Sequence, residues 1–218
     1  VARSTALMSV ATLGSRATGL VRTGAMAFAL GNTLMTSSYQ IANSMPNVIY
    51  ELVAGGLLAA AFLPVYLSQK ERFGAEGGNR FACNLLNLAV IVLGVLAILA
   101  TVFAPQVIFT QTFTKDYSAE VTERAVQFFR IFGAQIVFYG IGGIITGLLN
   151  ANRVYFLPSI APALNNVVVI ASLLAFVPLS SIDYELAIVV LAVGTTLGVA
   201  AQFAIQIPAL IKLGFTWS

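Results

Sequence analysis

Apolar residues fall along the chain in six long runs, separated by short stretches rich in Gly, Pro, Asn or charge. The runs predict helices over roughly 5–30, 36–68, 82–109, 119–150, 157–178 and 185–211. The breaks between them are Gly31-Asn32-Thr33, Lys70 to Arg80, Thr114 to Ser118, Asn150-Ala151-Asn152-Arg153 and Pro178 to Asp183. A helix needs about 20 predominantly apolar residues to cross a bilayer, and each run has that length. The expected fold class is an all-α integral membrane protein, built as one six-transmembrane-helix bundle over residues 1–218.

Polar residues inside the runs are not scattered. At 100° per residue, Thr5, Ser9, Thr12, Arg16 and Thr23 fall within about 40° of one line on the first helix. Ser15, Gly19 and Arg22 widen that face, while Leu7, Val10, Val21, Ala25 and Phe28 make most of the other side apolar. The second helix carries Gln40, Asn43, Ser44, Asn47 and Glu51 on a single line, with Pro46 off it and expected to bend the helix. The sixth has a weaker version in Thr195, Gly198, Gln202 and Gln206. The fifth starts with Pro158 and Pro162 and carries Asn165 and Asn166. The stripes of the first, second and sixth helices are expected to converge as one hydrophilic wall. Polar membrane residues also simply hydrogen-bond between helices, and that reading stands beside the functional one for Asn165, Asn166, Gln202 and Gln206. Likewise, the runs Gly55-Gly56 and Gly140 to Gly147 suit close helix packing or hinges.

Composition supports a membrane setting. Hydrophobic residues make up 59% of the chain and charged ones 9%, against about 25% charged in soluble domains. The opening segment is too long and too polar inside to be a cleaved signal peptide. There is no His and a single Cys, Cys83, which excludes disulfide scaffolds, zinc sites and Cys–His or Ser–His catalysis. No enzyme, metal, cofactor or nucleic-acid role is expected. The basic residues sort by side: Arg3, Lys70, Arg72, Arg80, Arg153 and Lys212 lie on the face of the N-terminus. Lys115 and Arg124 lie opposite, among Asp116, Glu120, Glu123, Asp183 and Glu185. That asymmetry predicts both ends of the chain in the cytoplasm.

Arg16, Arg22 and Arg130 lie within helices. Arg130 is near a helix end and is expected to snorkel, and snorkelling is the alternative for Arg22. Arg16 is too deep for that. A charge at the centre of a membrane helix costs roughly 2.5–3.5 kcal/mol on insertion scales, so it marks a watery cavity or a partner. The candidate substrate-binding residues are therefore Arg16, Arg22, Ser15, Asn43, Asn47 and Glu51, lining a cationic groove for an anionic guest. Glu51 is either a neutralising partner of Arg16 or a proton-handling group.

The motifs Ser15-Arg16-Ala-Thr-Gly19-Leu-Val-Arg22, Met45-Pro46-Asn47 and Gly55-Gly56 through Phe62-Leu-Pro64 resemble the opening of MurJ/MviN proteins. Gly147-Leu-Leu-Asn150-Ala-Asn-Arg153, Pro158 and Ala161-Pro162-Ala-Leu-Asn165 are similar to the junction of that family's fourth and fifth helices. These are peptidoglycan lipid II flippases of the MOP exporter superfamily. The resemblance implies two six-helix lobes plus extra helices around a cationic cavity that takes a lipid-linked diphosphate. Of these, residues 1–218 look like the N-terminal lobe alone, in a bacterial cytoplasmic membrane and in contact with membrane lipids, with the C-terminal lobe as an expected partner. The family's cavity serine and arginines match Ser15, Arg16 and Arg22. Ser37 stands where the family commonly has aspartate, and Tyr50 and Glu51 where it commonly has an arginine pair, a variant that looks actinobacterial.

Other classes fit less well. A flippase for another polyprenyl-diphosphate-linked oligosaccharide shares the same groove. A MATE-like antiporter would favour acidic groups, and here only Glu51 offers one. A non-transporting membrane scaffold is the reading if the chain is complete.

Overall fold

The computed structural model describes residues 2–31, 33–55, 61–113 and 117–217, with side chains from residue 9 onward except at residue 54. Asn32, Gly56, residues 57–60, Thr114, Lys115 and Asp116 lie outside the described residues, as do the side chains of Arg3, Thr5 and Leu7. All regular structure among the described residues is helical. In chain order it comprises α1 (Ala2–Leu30), α2 (Leu34–Tyr50), a π-helical turn (Glu51–Gly55), α3 (Leu63–Val102) and α4 (Ala104–Thr112). There follow α5 (Ala119–Phe132), α6 (Gln135–Ala151), α7 (Phe156–Ser180), α8 (Tyr184–Ala204) and α9 (Ile207–Lys212).

The all-helical class is as expected, but the six runs are cut differently. The run over 36–68 resolves into α2, the π turn and the start of α3, and α2 continues through Pro46 to Tyr50. The expected loop from Lys70 to Arg80 is helical except at Gly74, whose φ of 71° and ψ of −166° turn the chain back on itself. Gln, Lys, Glu, Arg and Ala are good helix formers, so a polar stretch need not be a loop. Gly74 is the residue that a left-handed φ requires. Phe62 stacks on Phe81 at 6.3 Å across the turn, so the two limbs of α3 run antiparallel.

Proline and glycine set the other breaks. Pro105 opens α4 and Pro208 opens α9, each just after a break in the preceding helix. The run over 119–150 bends by 48° between α5 and α6, at Gly133 and Ala134. Of the described helices, 63–102, 156–180 and 184–212 are each long and apolar enough to cross a membrane, and the bent α5–α6 pair makes a fourth. By that measure α1 and α2 fall short. The arginines and hydroxyls of α1 lower its hydropathy, and the 17 residues of α2 reach only about 25 Å.

α6 is the centre of the bundle. It packs against α2, α3 and α8, while α7 lies between α1 and α8 and α2 lies along α5. The glycines of α6 make this possible: a Cβ at Gly140 would strike Leu93, at Gly142 Phe203, at Gly143 Tyr50 and at Gly147 Phe62. Without a hydrophobic drive between helices in lipid, close approach of this kind supplies the packing energy. Of the two readings of the glycine run, packing is what the structure displays. An aromatic cluster of Tyr39, Phe128 and Phe132 fills the core beneath, and Tyr39 Oη shares a 2.9 Å hydrogen bond with Thr195 Oγ1. Outward-facing residues are large and apolar, such as Leu20 (77% exposed), Phe28 (72%) and Ile98 (66%), as contact with lipid tails demands.

Candidate functional site

α1 presents three faces. Ala11, Ser15, Thr18, Arg22 and Met26 are buried or half-buried toward the bundle. Val10, Leu13, Leu20, Val21 and Phe28 are exposed and apolar. Between them runs an exposed polar strip of Ser9, Thr12, Arg16 and Thr23. The inner face is held by α7, where Asn166 Nδ2 donates to Thr18 Oγ1 at 3.0 Å and to the Ser15 carbonyl at 3.4 Å. Ser15 therefore contributes its main chain to helix packing, and its half-buried side chain lies at the edge of the strip.

The strip lies on the side of α2. Gln40 Nε2 of α2 is 3.9 Å from Met26 Sδ, and Met26 is about 80° around α1 from Arg16. Arg16 is exposed and makes no ion pair among the described residues. Arg22 is half-buried and within electrostatic reach of Tyr139 on α6. Tyr139 in turn stacks on Tyr50 at 6.2 Å and meets the edge of Phe203 at 6.3 Å. Tyr50 ends α2, next to Glu51, so an arginine of α1 and a carboxylate after α2 are joined through two stacked tyrosines. Asn43 and Asn47 are half-buried on the same line of α2, and Asn47 Nδ2 donates to Glu51 Oε1 at 2.8 Å. The ion pair that the sequence allowed between Arg16 and Glu51 is not formed; Asn47 holds the carboxylate instead.

The stripe of the sixth predicted helix does not join this face. Thr195 and Gln206 are buried, Thr195 bonded to Tyr39 and Gln206 accepting from Thr146 Oγ1 at 3.1 Å. Gly198 lies against Asn165. Thr195 and Gln206 are thus satisfied between helices, while Asn165 Oδ1 is buried with no hydrogen-bond partner among the described residues, and the third member of the wall is Tyr139 of α6. Sequence reasoning missed Tyr139 because it stands alone among glycines and apolar residues. It also missed the clamp of Arg124, 2.7 Å from Glu185 and 5.7 Å over the ring of Tyr184. Arg130 is exposed in the last turn of α5, where a cation faces the negative end of the helix dipole.

A multi-helix bundle with lipid-facing apolar sides and a cationic strip on its first helix is a polytopic membrane protein, of the class that includes membrane transporters. Comparison with known proteins narrows this. The family model described as lipid II flippase MurJ matches residues 26–218. Similar proteins are the lipid II flippase MurJ of Burkholderia cenocepacia, 29% identical over 95% of this chain and 40% of that protein. A second is the probable lipid II flippase MurJ of Rhizobium meliloti, 30% identical over 94% of this chain and 39% of its own length. A solved structure of a lipid II flippase MurJ in an inward closed conformation superposes with a TM-score of 0.76 at 25% identity, over 97% of this chain and 43% of that one. The chain belongs to the MurJ family. It spans about 40% of the length of the relatives it matches.

Proposed function

We propose that the chain forms the N-terminal part of a flippase that carries the undecaprenyl-diphosphate-linked peptidoglycan precursor lipid II across the bacterial cytoplasmic membrane. The observation that carries this reading is the polar strip of α1, where Arg16 stands exposed beside α2 with no anionic partner among the described residues. A diphosphate presents oxygens that a guanidinium binds bidentately, where an ammonium acts as a point charge. Arg16 and Arg22 take the headgroup phosphates; Ser15, Asn43, Asn47 and Glu51 line the rest of the cavity. The work is transport, not catalysis, and proceeds by alternating access between this bundle and a C-terminal lobe. Both ends of residues 1–218 lie in the cytoplasm, as the basic residues sort.

A second reading is favoured by Tyr50 and Glu51, which reduce the positive charge of the cavity relative to the family pattern. It is a flippase for a different polyprenyl-diphosphate-linked oligosaccharide. Binding of two lipid-linked diphosphates with different glycans to the full-length protein separates the two readings by preference. The decisive experiment for both is complementation of a flippase-depleted strain by the full-length protein. Arg16→Ala should abolish growth while membrane insertion stays intact, since removing a charge from a membrane helix eases insertion. Normal growth with Arg16→Ala overturns the cavity assignment.

A further inference from the structure

Two cavities meet along the seam between the antiparallel limbs of α3. One, about 370 Å³, is lined among the described residues by apolar side chains only, including Val53, Val65, Leu85, Leu88 and Val92. The other, about 580 Å³, lies at the Gly74 end and is lined by Gln69, Phe73, Glu76, Gly77, Arg80 and Asn84. Phe81 lines both. On each limb the lining positions recur at three and four residues, so the two cavities form one groove along one face of the hairpin. Each volume falls in the range of about 300–1,000 Å³ typical of small-molecule sites.

The polar end carries one cation and one anion that do not neutralise each other. Arg80 and Glu76 are one turn apart on the same limb, yet neither makes an ion pair among the described residues. Lys70, a nearby cation, is already engaged: its Nζ donates to Asn152 Oδ1 at 2.7 Å. A water-soluble ion would leave the apolar cavity unfilled, and a hydrocarbon would leave Arg80 and Glu76 unmatched. An amphiphile with a purely anionic headgroup would meet Glu76 as a like charge.

We propose that this groove binds one glycerophospholipid whose headgroup carries both a phosphodiester and an ammonium, as in phosphatidylethanolamine. The phosphate sits at Arg80, with the Gln69 and Asn84 amides as further donors, and the ammonium at Glu76. The acyl chains pass Phe81 into the cavity lined by Val65, Leu85, Leu88 and Val92. None of its lining residues is among those assigned to the α1–α2 face, and it needs only that the chain spans a membrane, so it does not depend on the transport reading.

The test is native mass spectrometry of the full-length protein, delipidated in detergent and titrated with dioleoyl-phosphatidylethanolamine, dioleoyl-phosphatidylglycerol or undecaprenyl diphosphate. The ethanolamine lipid should give a retained adduct several-fold more abundant than the glycerol lipid. Arg80→Ala should lower that adduct about tenfold, the loss of one charge-assisted hydrogen-bond partner, and Arg80→Lys should recover part of it. Glu76→Gln should remove the preference for the ethanolamine headgroup while retaining binding. Arg16→Ala should leave the adduct unchanged whatever it does to transport. Equal adducts from wild type and Arg80→Ala would overturn the proposal. So would displacement by equimolar undecaprenyl diphosphate, which would make the groove a cargo site, or the absence of any retained adduct, which would mean that protein covers it.

Discussion

Asn47 Nδ2 donates to Glu51 Oε1 at 2.8 Å, a bond that crosses from the last turn of α2 into the π turn. The carboxylate is exposed and faces the same side as the cavity line of α2. A glutamine at this position can accept the same bond through its own Oε1, so Glu51→Gln removes charge without removing geometry. An anionic guest then meets less repulsion. Binding of undecaprenyl diphosphate to the full-length protein, followed by calorimetry, should tighten a few-fold at low ionic strength. The gain should vanish near about 1 M salt, where the screening length falls to roughly 3 Å. Unchanged affinity at low salt together with lost transport would sink this account and leave Glu51 as a proton-handling group.

Tyr139 is the link between Arg22 and Tyr50, and its ring and its hydroxyl can be tested apart. Tyr139→Phe keeps the stack on Tyr50 and the edge contact with Phe203. It should leave the thermal midpoint nearly unchanged. Tyr139→Ala opens a gap between α2, α6 and α8 and should cost about 3 kcal/mol, the low end for an aromatic truncation because the ring is not fully buried. If Arg22 binds cargo through the orientation that Tyr139 gives it, Arg22→Ala and Tyr139→Ala should be non-additive in a binding cycle. Strict additivity would mean the two act separately.

What could be read from the sequence followed from periodicity and depth. The strip with Arg16 and the line from Gln40 to Glu51 were legible because helical spacing alone places those residues together. The partner elements were not. Thr195 on α8 and Gln206 just beyond its end obey the same spacing, but whether a polar line faces a cavity or another helix depends on what packs there, and Tyr39 and Thr146 supply that answer. The hairpin at Gly74 was hidden for a different reason. Charge and glycine in the stretch from Lys70 to Arg80 signal a break equally well whether the chain loops or stays helical around one left-handed residue.

Glycines separate into two groups by surroundings. At Gly140 and Gly143 an added methyl would overlap Leu93 and Tyr50, and Ala at either should destabilise by about 1–3 kcal/mol, the usual cost of overpacking. At Gly14 and Gly24 of α1 nothing lies within 4 Å of the Cβ position. Ala there should stabilise the helix by roughly 0.5–1 kcal/mol. Thermal midpoints of the four single variants check this. If Gly14→Ala or Gly24→Ala instead impairs transport, another part of the full-length protein must approach α1 at those positions during the cycle.

The orientation rests on six basic residues against two, and the structure suggests where to probe it. Cys83 is buried, with its Sγ 3.3 Å from the Thr216 carbonyl, so it should resist labelling, and Cys83→Ser removes it from consideration. Ala75 is exposed beside the Gly74 turn and suits a cysteine probe. Ser118 is a poorer choice, since its Oγ caps α5 by accepting from Val121 N at 3.4 Å. Ala119, next to it and also exposed, leaves the cap in place. In the Cys83→Ser background, Ala75→Cys should react with a membrane-impermeant maleimide only after the cells are opened. Ala119→Cys should react in intact cells. Three segments, α3, α7 and residues 184–212, are long and apolar enough to cross on their own, the α5–α6 pair is so only as one bent span, and the hairpin at Gly74 separates the two limbs of α3. The segment from Ala75 to Ala119 must therefore cross once, which requires opposite labelling at the two positions. Labelling of both from the same side would remove that crossing, and reversed labelling would place Arg80 and Lys70 outside and overturn the cytoplasmic assignment of both ends.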